Sequence, residues 1–379
     1  MNKRNLTTWE AACIITGYGV GGGVLSIPYL AEKTGLPLAF VILAIALFTS
    51  YILHLMIADL ALKTQEGGQI ISCLSQFLFR GKLKKVLTML FFILMTLILF
   101  TNLSAYISGS VEIIVELLPV PRFLATLAFY IVAASVVFFG LKAVGISEKY
   151  LVAFIFCLIG ALSVASFFTP ANALPLVCGS ANEALALYGM AMFAIAAFFS
   201  VPQGVEGLNK EKREIKRAIF LGLFNNFIII ILITFCSLLA SDEVTEVVMV
   251  GWSAAIGPWA QIVVGLFTIL AMLTTYWSLS LALGSIVQEQ MKWDRRLCWL
   301  VATLPSLVLS LIDFASFMEF MRMAGGLISI IIAIMVVLAY LNARREVEGS
   351  ILNHYGGKVT AAAVIAAYIL MGIGSVVPV

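Results

Sequence analysis

Residues 17–23 read GYGVGGG, five glycines in seven positions, with Pro28 shortly after. Each glycine in a helix interior costs about 1 kcal/mol relative to alanine, so a helix running through this stretch is predicted to come apart. A packing face spaces its small residues three or four apart, whereas Gly21, Gly22 and Gly23 bare the backbone on every side. The chemistry on offer is that of the peptide groups themselves. Free N–H groups at a half-helix N-terminus, at the positive end of its dipole, hold an anion. Free carbonyls hold a cation or an ammonium, so a zwitterionic solute matches both. The literal GxGxxG of residues 17–22 needs a preceding strand and a βαβ unit to bind a nucleotide; here it lies inside an apolar stretch, and that reading is rejected.

A second weak point lies in residues 189–204, GMAMFAIAAFFSVPQG. Pro202 removes a backbone donor and clashes with the preceding turn, and Gly189, Ala194, Ala196 and Ala197 supply small residues before it. A simple proline kink is the alternative. Other polar candidates are fewer. Glu319 and Arg322 share a helix face three residues apart and are expected to form an external gate or a local ion pair. Asn102 and Tyr106, four apart, face either a cavity or a neighbouring helix, and Asn225 and Asn226 carry the same ambiguity. Asp59 and Lys63 read as interface anchors. The six cysteines are scattered without CxxC spacing and read as small core residues. With two distant histidines, His54 and His354, no cluster suggests a metal site or an embedded enzyme, and no ATPase signature is present.

The elements that must position these residues follow from composition. Of 379 residues, 62% are hydrophobic and 11% charged, and mean hydropathy is +1.08. A soluble chain of this length has no interior large enough for so much apolar surface. Lipid demands that every backbone group be satisfied within the protein, which favours helices. Eleven spans are predicted, roughly 8–31, 36–62, 86–117, 122–141, 148–168, 183–207, 216–240, 258–290, 297–312, 315–341 and 359–377. With the N-terminus in the cytoplasm and the C-terminus outside, 20 of the 23 basic residues are cytoplasmic, a strong positive-inside bias. Segment 69–79 reads as an interfacial helix or a cytoplasmic turn. The expected chain is one multi-pass transmembrane domain, 1–379, in a plasma or inner cell membrane. Its weak points fall in the first and sixth spans. Five is odd, so two halves, about 8–168 and 183–341, enter the membrane in opposite senses, with 359–377 as an extra helix. Interrupted helices at corresponding positions of inverted halves point to a transporter's binding site.

The segment GGGVLSIPYLAEKTG (21–35) resembles the first-helix signature of the amino acid/auxin permease family, within the amino acid–polyamine–organocation superfamily. Gly21, Gly23, Leu25, Pro28, Tyr29 and Gly35 fall at its positions. FAIAAFFSVP (193–202) is similar to that family's sixth-helix stretch at Phe193, Ala194 and Pro202, with Ile195, Ala196 and Ala197 departing from it. The resemblance implies an all-α, leucine-transporter-like 5+5 inverted repeat with discontinuous helices 1 and 6. It also implies a substrate carboxylate at the N–H groups of Gly22, Gly23 and Val24 and an ammonium at carbonyls near Gly17, Phe193 and Ala196. Gly21, Tyr106, Ala194 and Ala197 complete the expected substrate site. In related transporters sodium sits between first-helix carbonyls and eighth-helix hydroxyls, which here implies Gly17, Val20, Thr274 and Thr275. The absence of a lysine inside span 148–168, where some proton-coupled relatives place one, favours sodium over a proton. The expected function is cation-coupled import of amino acids, large neutral or aromatic, because Phe193, Phe198 and Phe199 suit an apolar pocket. No cofactor beyond sodium and no nucleic acid is expected, and oligomeric state is not legible. A non-transporting amino acid sensor and a channel-like facilitator are the alternatives.

Overall fold

The computed structural model describes residues 6–65, 67–170, 172–241, 244, 248–312 and 326–377. Among them are fifteen α-helices and no strand. The first half holds α1 (Thr8–Gly19), α2 (Ile27–Thr34), α3 (Leu36–Lys63), α4 (Ile70–Phe77), α5 (Lys84–Leu117), α6 (Arg122–Phe138) and α7 (Leu141–Ser166). The second holds α8 (Ala181–Ala194), α9 (Val201–Gly207), α10 (Lys212–Ala240), α11 (Val248–Ile256), α12 (Pro258–Met291), α13 (Arg295–Leu311), α14 (Gly326–Glu346) and α15 (Lys358–Gly374). Glu319 and Arg322, the expected gate pair, lie outside the described residues.

Among the described residues, α3, α5, α7, α10 and α12 are each long and apolar enough to cross a membrane. A sixth such span is the bent pair formed by α1 and Gly22–Thr34, which meet at 61°. Side chains such as Phe48 (70% exposed), Leu90 (62%) and Ile131 (62%) form apolar outer faces that a water-soluble surface does not sustain. Helix α12, by contrast, runs largely inside the bundle, against α5, α13, α7 and α1. α1 is buried over most of its length and packs on α10, α7 and α12.

Local sequence explains where the central helices start. α1 opens on a capping box: the Glu10 N–H donates to Thr7 Oγ1 (3.2 Å) and the Thr7 N–H to Glu10 Oε2 (2.8 Å). Ser180 and Glu183 repeat the arrangement at α8 (3.3 and 2.6 Å). Each box satisfies two orphan donors. α2 and α9 both carry proline in their first positions, Pro28 and Pro202, where the missing N–H has no helical partner to lose. Pro202 therefore begins a helix rather than kinking one. Segment 69–79 contains α4, whose Ile70, Ile71, Cys73, Leu74 and Phe77 are buried. The Glu289 carboxylate of α12 accepts the Gly68 N–H (2.8 Å) and the Ser72 hydroxyl (2.5 Å) at its start, a favourable place for an anion. Burial pushes the Cys73 thiol up to about 12, so it behaves as a small core group. Asp59 and Lys63 pair at 3.1 Å, and Asp59 Oδ1 also accepts the Ile351 N–H (2.8 Å), tying the segment after α14 to α3.

Helix α15 docks on α8 through glycine. A Cβ added at Gly374 would stand 2.1 Å from the Leu185 carbonyl oxygen, so the two backbones touch. Gly374→Val is expected to cost roughly 1–3 kcal/mol by overpacking, seen as a lower thermal midpoint in detergent. An unchanged midpoint would show that the two helices do not need this approach.

Candidate functional site

The helical ladder of α1 ends where the glycines cluster. The Val20 N–H still reaches Thr16 O (3.0 Å), but the Gly21 N–H turns to Gly19 O (2.8 Å) instead of Gly17 O. Gly21 is extended (φ −104°, ψ −161°), and a single 3-10 turn, Gly22–Leu25, restarts the chain with the Val24 N–H on Gly21 O (3.2 Å). Gly22 and Gly23 thus open a turn, where N–H groups have no preceding carbonyl to serve. Val24, expected to present its N–H outward, has it engaged within the turn.

The second break is similar in kind. α8 ends at Ala194 and α9 begins at Val201. Between them the Ala196 N–H reaches Phe193 O (3.2 Å) and the Ser200 N–H reaches Ala197 O (3.2 Å). The Ala197 N–H donates to His54 Nε2 of α3 (2.8 Å), while His54 Nδ1 lies 2.5 Å from Ser50 O. This fixes the neutral tautomer, with Nδ1–H donating to Ser50 and Nε2 accepting from Ala197. His54 is fully buried and fastens the break from outside.

A cavity opens between the two breaks. Gly21, Gly22, Gly23, Tyr106, Phe193, Ala194 and Ala196 line it, all expected site residues, together with Tyr18, Gly19, Asn102, Phe198, Phe199, Leu279 and others. Gly17, Val24 and Ala197 are not in its wall. Among the described lining residues none is charged. The walls offer phenylalanine and tyrosine rings and the floor offers peptide groups, a combination that can hold a zwitterion by its backbone atoms and an apolar ring by its faces. Gly23 sits so near the second break that a Cβ there would be 2.9 Å from Phe193 Cδ1 and 3.2 Å from Ala194 Cβ.

Beside the cavity, the Gly17 carbonyl accepts the hydroxyls of Thr275 (3.0 Å) and Thr274 (3.3 Å), each of which also bonds Ala271 O in its own helix (2.9 Å). Val20, expected with them, is buried, and its N–H is turned to Thr16 O. Asn225 donates to Thr16 Oγ1 (3.2 Å), so that asparagine joins helices. Asn226 lies against Gly19, and neither of its polar atoms has a hydrogen-bond partner. Sequence reasoning passed over two residues here. His54 was legible as an ionisable group deep inside a span, a functional candidate by default. Glu148 was placed at a span's edge; the structure buries it completely against Gly17.

The sequence model of the tryptophan/tyrosine permease family matches residues 4–375. No curated protein matches. Two solved structures are similar in fold. One is MhsT in complex with L-phenylalanine, 14% identical, with a TM-score of 0.70 over 99% of this chain and 100% of that one. The other is Mhp1, a nucleobase-cation-symport-1 family transporter in a closed conformation with bromovinylhydantoin bound, 12% identical, with a TM-score of 0.69 over 99% and 91%.

His54→Leu leaves the Ala197 N–H buried without an acceptor, which costs about 1–3 kcal/mol. The expected outcome is faster amide hydrogen exchange across residues 195–200 and a lower thermal midpoint. Unaltered exchange there would mean that His54 does not fasten the break.

Proposed function

The chain belongs to the tryptophan/tyrosine permease family, and from that premise we propose that it imports aromatic amino acids by alternating access, driven by a cation gradient. It is a multi-pass membrane transporter and not an enzyme. The observation that carries the substrate reading is the cavity itself. Peptide groups at Gly22 and Gly23 share the cavity with the rings of Phe193, Phe198 and Phe199, with no charged side chain among the described lining residues. A tryptophan, tyrosine or phenylalanine meets such a wall with ring faces, where aromatic pairs contribute about 0.5–1.5 kcal/mol beyond area burial. A charged side chain would find no ionic partner among those described lining residues.

The finer reading belongs to the same proposal. It comprises eleven membrane helices in a 5+5 inverted repeat, with α1/α2 as broken helix 1 and α8/α9 as broken helix 6. The N-terminus is cytoplasmic and the C-terminus outside, in a plasma or inner membrane, and the wider affiliation is to the amino acid/auxin permeases. The substrate carboxylate is assigned to the N–H groups of Gly22 and Gly23. Sodium is the proposed coupling ion, with the Gly17 carbonyl and the Thr274 and Thr275 hydroxyls as its neutral oxygen ligands; hard cations take such ligands. What supports this is the convergence of these three groups at 3.0–3.3 Å.

A thermal-shift screen of the purified protein against the twenty amino acids, with and without sodium, tests the reading. Tryptophan, tyrosine or phenylalanine is expected to raise the midpoint, since a ligand at a hundred times its Kd stabilises by about 2.7 kcal/mol. Stabilisation by none of the twenty would sink the proposal. Gly23→Ala, which pushes a methyl into Phe193, is expected to abolish the shift while the unliganded protein still folds.

A further inference from the structure

Glu148 lies on α7, eight positions into its helix, and faces α1 and α12. Its side chain is completely buried. Oε1 accepts the Ser278 hydroxyl (3.1 Å), and Oε2 has no hydrogen-bond partner. A Cβ built on Gly17 would fall 2.1 Å from Oε2, so the carboxyl reaches the position where α1 is about to unwind. The neighbouring Lys149 points the other way, exposed and over the Tyr150 ring (5.4 Å). Lys142, on the same helix, is paired with Glu10 (2.5 Å).

The surroundings are rich in oxygen and poor in protons. The Gly17 carbonyl lost its helical donor when the Gly21 N–H turned to Gly19. Ser278 has one hydroxyl proton for two acceptors, Glu148 Oε1 and Ile14 O (3.1 Å each). The Thr274 and Thr275 protons are likewise each shared between Gly17 O and Ala271 O. Ile14 O and Ala271 O lie inside helices that supply their donors, so the shortfall falls on the Gly17 carbonyl and the Glu148 carboxyl group, which have only shared hydroxyl protons. An ionised carboxylate in such a place is sustained only by a compensating positive charge, and among the described residues the one group bonded to Glu148 is the neutral Ser278 hydroxyl.

We propose that Glu148 is the anionic ligand of the coupling-cation site, the one charged residue in a cluster completed by the Gly17 and Ile14 carbonyls and the Ser278 hydroxyl. This deepens the transporter reading and rests on it. A small monovalent cation, sodium or a proton, meets the same requirement of one positive charge on Oε2. Because Oε2 touches Gly17, the carboxyl holds the cation directly against the segment whose peptide groups hold the substrate. Occupancy of the one site then biases the other without a long path between them.

Proteoliposomes loaded with unlabelled tryptophan separate the claims. Labelled tryptophan is followed in counterflow, which needs no gradient, and in concentrative uptake under an inward sodium gradient at equal pH or an inward proton gradient without sodium. The wild-type chain is expected to exchange in counterflow and to concentrate tryptophan under one of the two gradients, which identifies the cation. Glu148→Gln is expected to lose concentrative uptake under both gradients and the dependence of counterflow on the cation, and Glu148→Asp to recover part of both. Ser278→Ala is expected to shift the half-saturating cation concentration about tenfold, the worth of a hydrogen bond to a charged group: downward where the cation is a proton, because the empty carboxylate loses its donor, and upward where it is sodium, which loses a hydroxyl ligand. Concentrative uptake by Glu148→Gln at the wild-type level would overturn the assignment. Should that variant not fold, unchanged cation dependence in both Glu148→Asp and Ser278→Ala would do the same. A wild-type chain that neither exchanges nor accumulates would overturn the transport reading instead.

Discussion

A peptide group inside a membrane has to be paired, and most of this structure follows from the places where two helices decline to pair their own. In lipid, an unsatisfied N–H or carbonyl costs several kcal/mol, so a break in a helix is tolerable only deep inside the protein. The first break is accordingly wrapped by α10, α7 and α12, and the longest buried helix, α12, runs beside it. Even the outer shell reflects this requirement. Helices with apolar outer faces, such as α5 and α6, insulate the centre from lipid.

The two breaks are treated differently. At the second, His54 supplies an acceptor from another helix, and the Ile195, Ala196 and Ser200 N–H groups close on nearby carbonyls. The Phe198 and Phe199 side chains of that loop turn to the cavity. At the first, the donors at Gly22 and Gly23 and the carbonyl at Gly17 are left to groups that are not backbone: hydroxyls on one side and open cavity on the other. One break contributes a wall of rings and the other a set of polar groups. The closeness of Gly23 to Phe193 and Ala194 joins them, so the rings of one stand over the peptides of the other.

The part of this that could be read from sequence was the part encoded locally. Five glycines in seven residues weaken a helix whatever surrounds it, and Pro202 marks a discontinuity from its own ring chemistry. The capping boxes at Thr7 and Ser180 are likewise four-residue signals. What escaped depends on partners far along the chain. His54 and Ala197 are 143 residues apart, and nothing in either neighbourhood announces the other. Glu148 shows a different failure. Span 148–168 was drawn where the apolar run begins, but α7 starts at Leu141, and seven residues are about 10 Å of helix. That shift moves a carboxyl from the expected membrane surface to the centre of the bundle. Hydropathy sees the apolar run and not the helix that carries a polar residue inward behind other protein.

The position of Glu148 bears on how the proposed substrate and cation sites would stay coupled. Gly17 faces the carboxyl on one side and the Thr274 and Thr275 hydroxyls on another, and it is four residues from the glycine that opens the cavity floor. The oxygen cluster comes from α1, α7 and α12, three separate helices, whereas the phenylalanine wall of the cavity comes from the end of α8 and the loop after it. Any relative movement of α1 against α7 and α12 must change the oxygen cluster, and it must also change the distance between the Gly21–Gly23 peptides and that wall. A cation that fills the cluster restrains the first motion and hence the second. Coupling of this sort follows from sharing one unwound segment between two sites, because that segment cannot satisfy one while moving freely at the other.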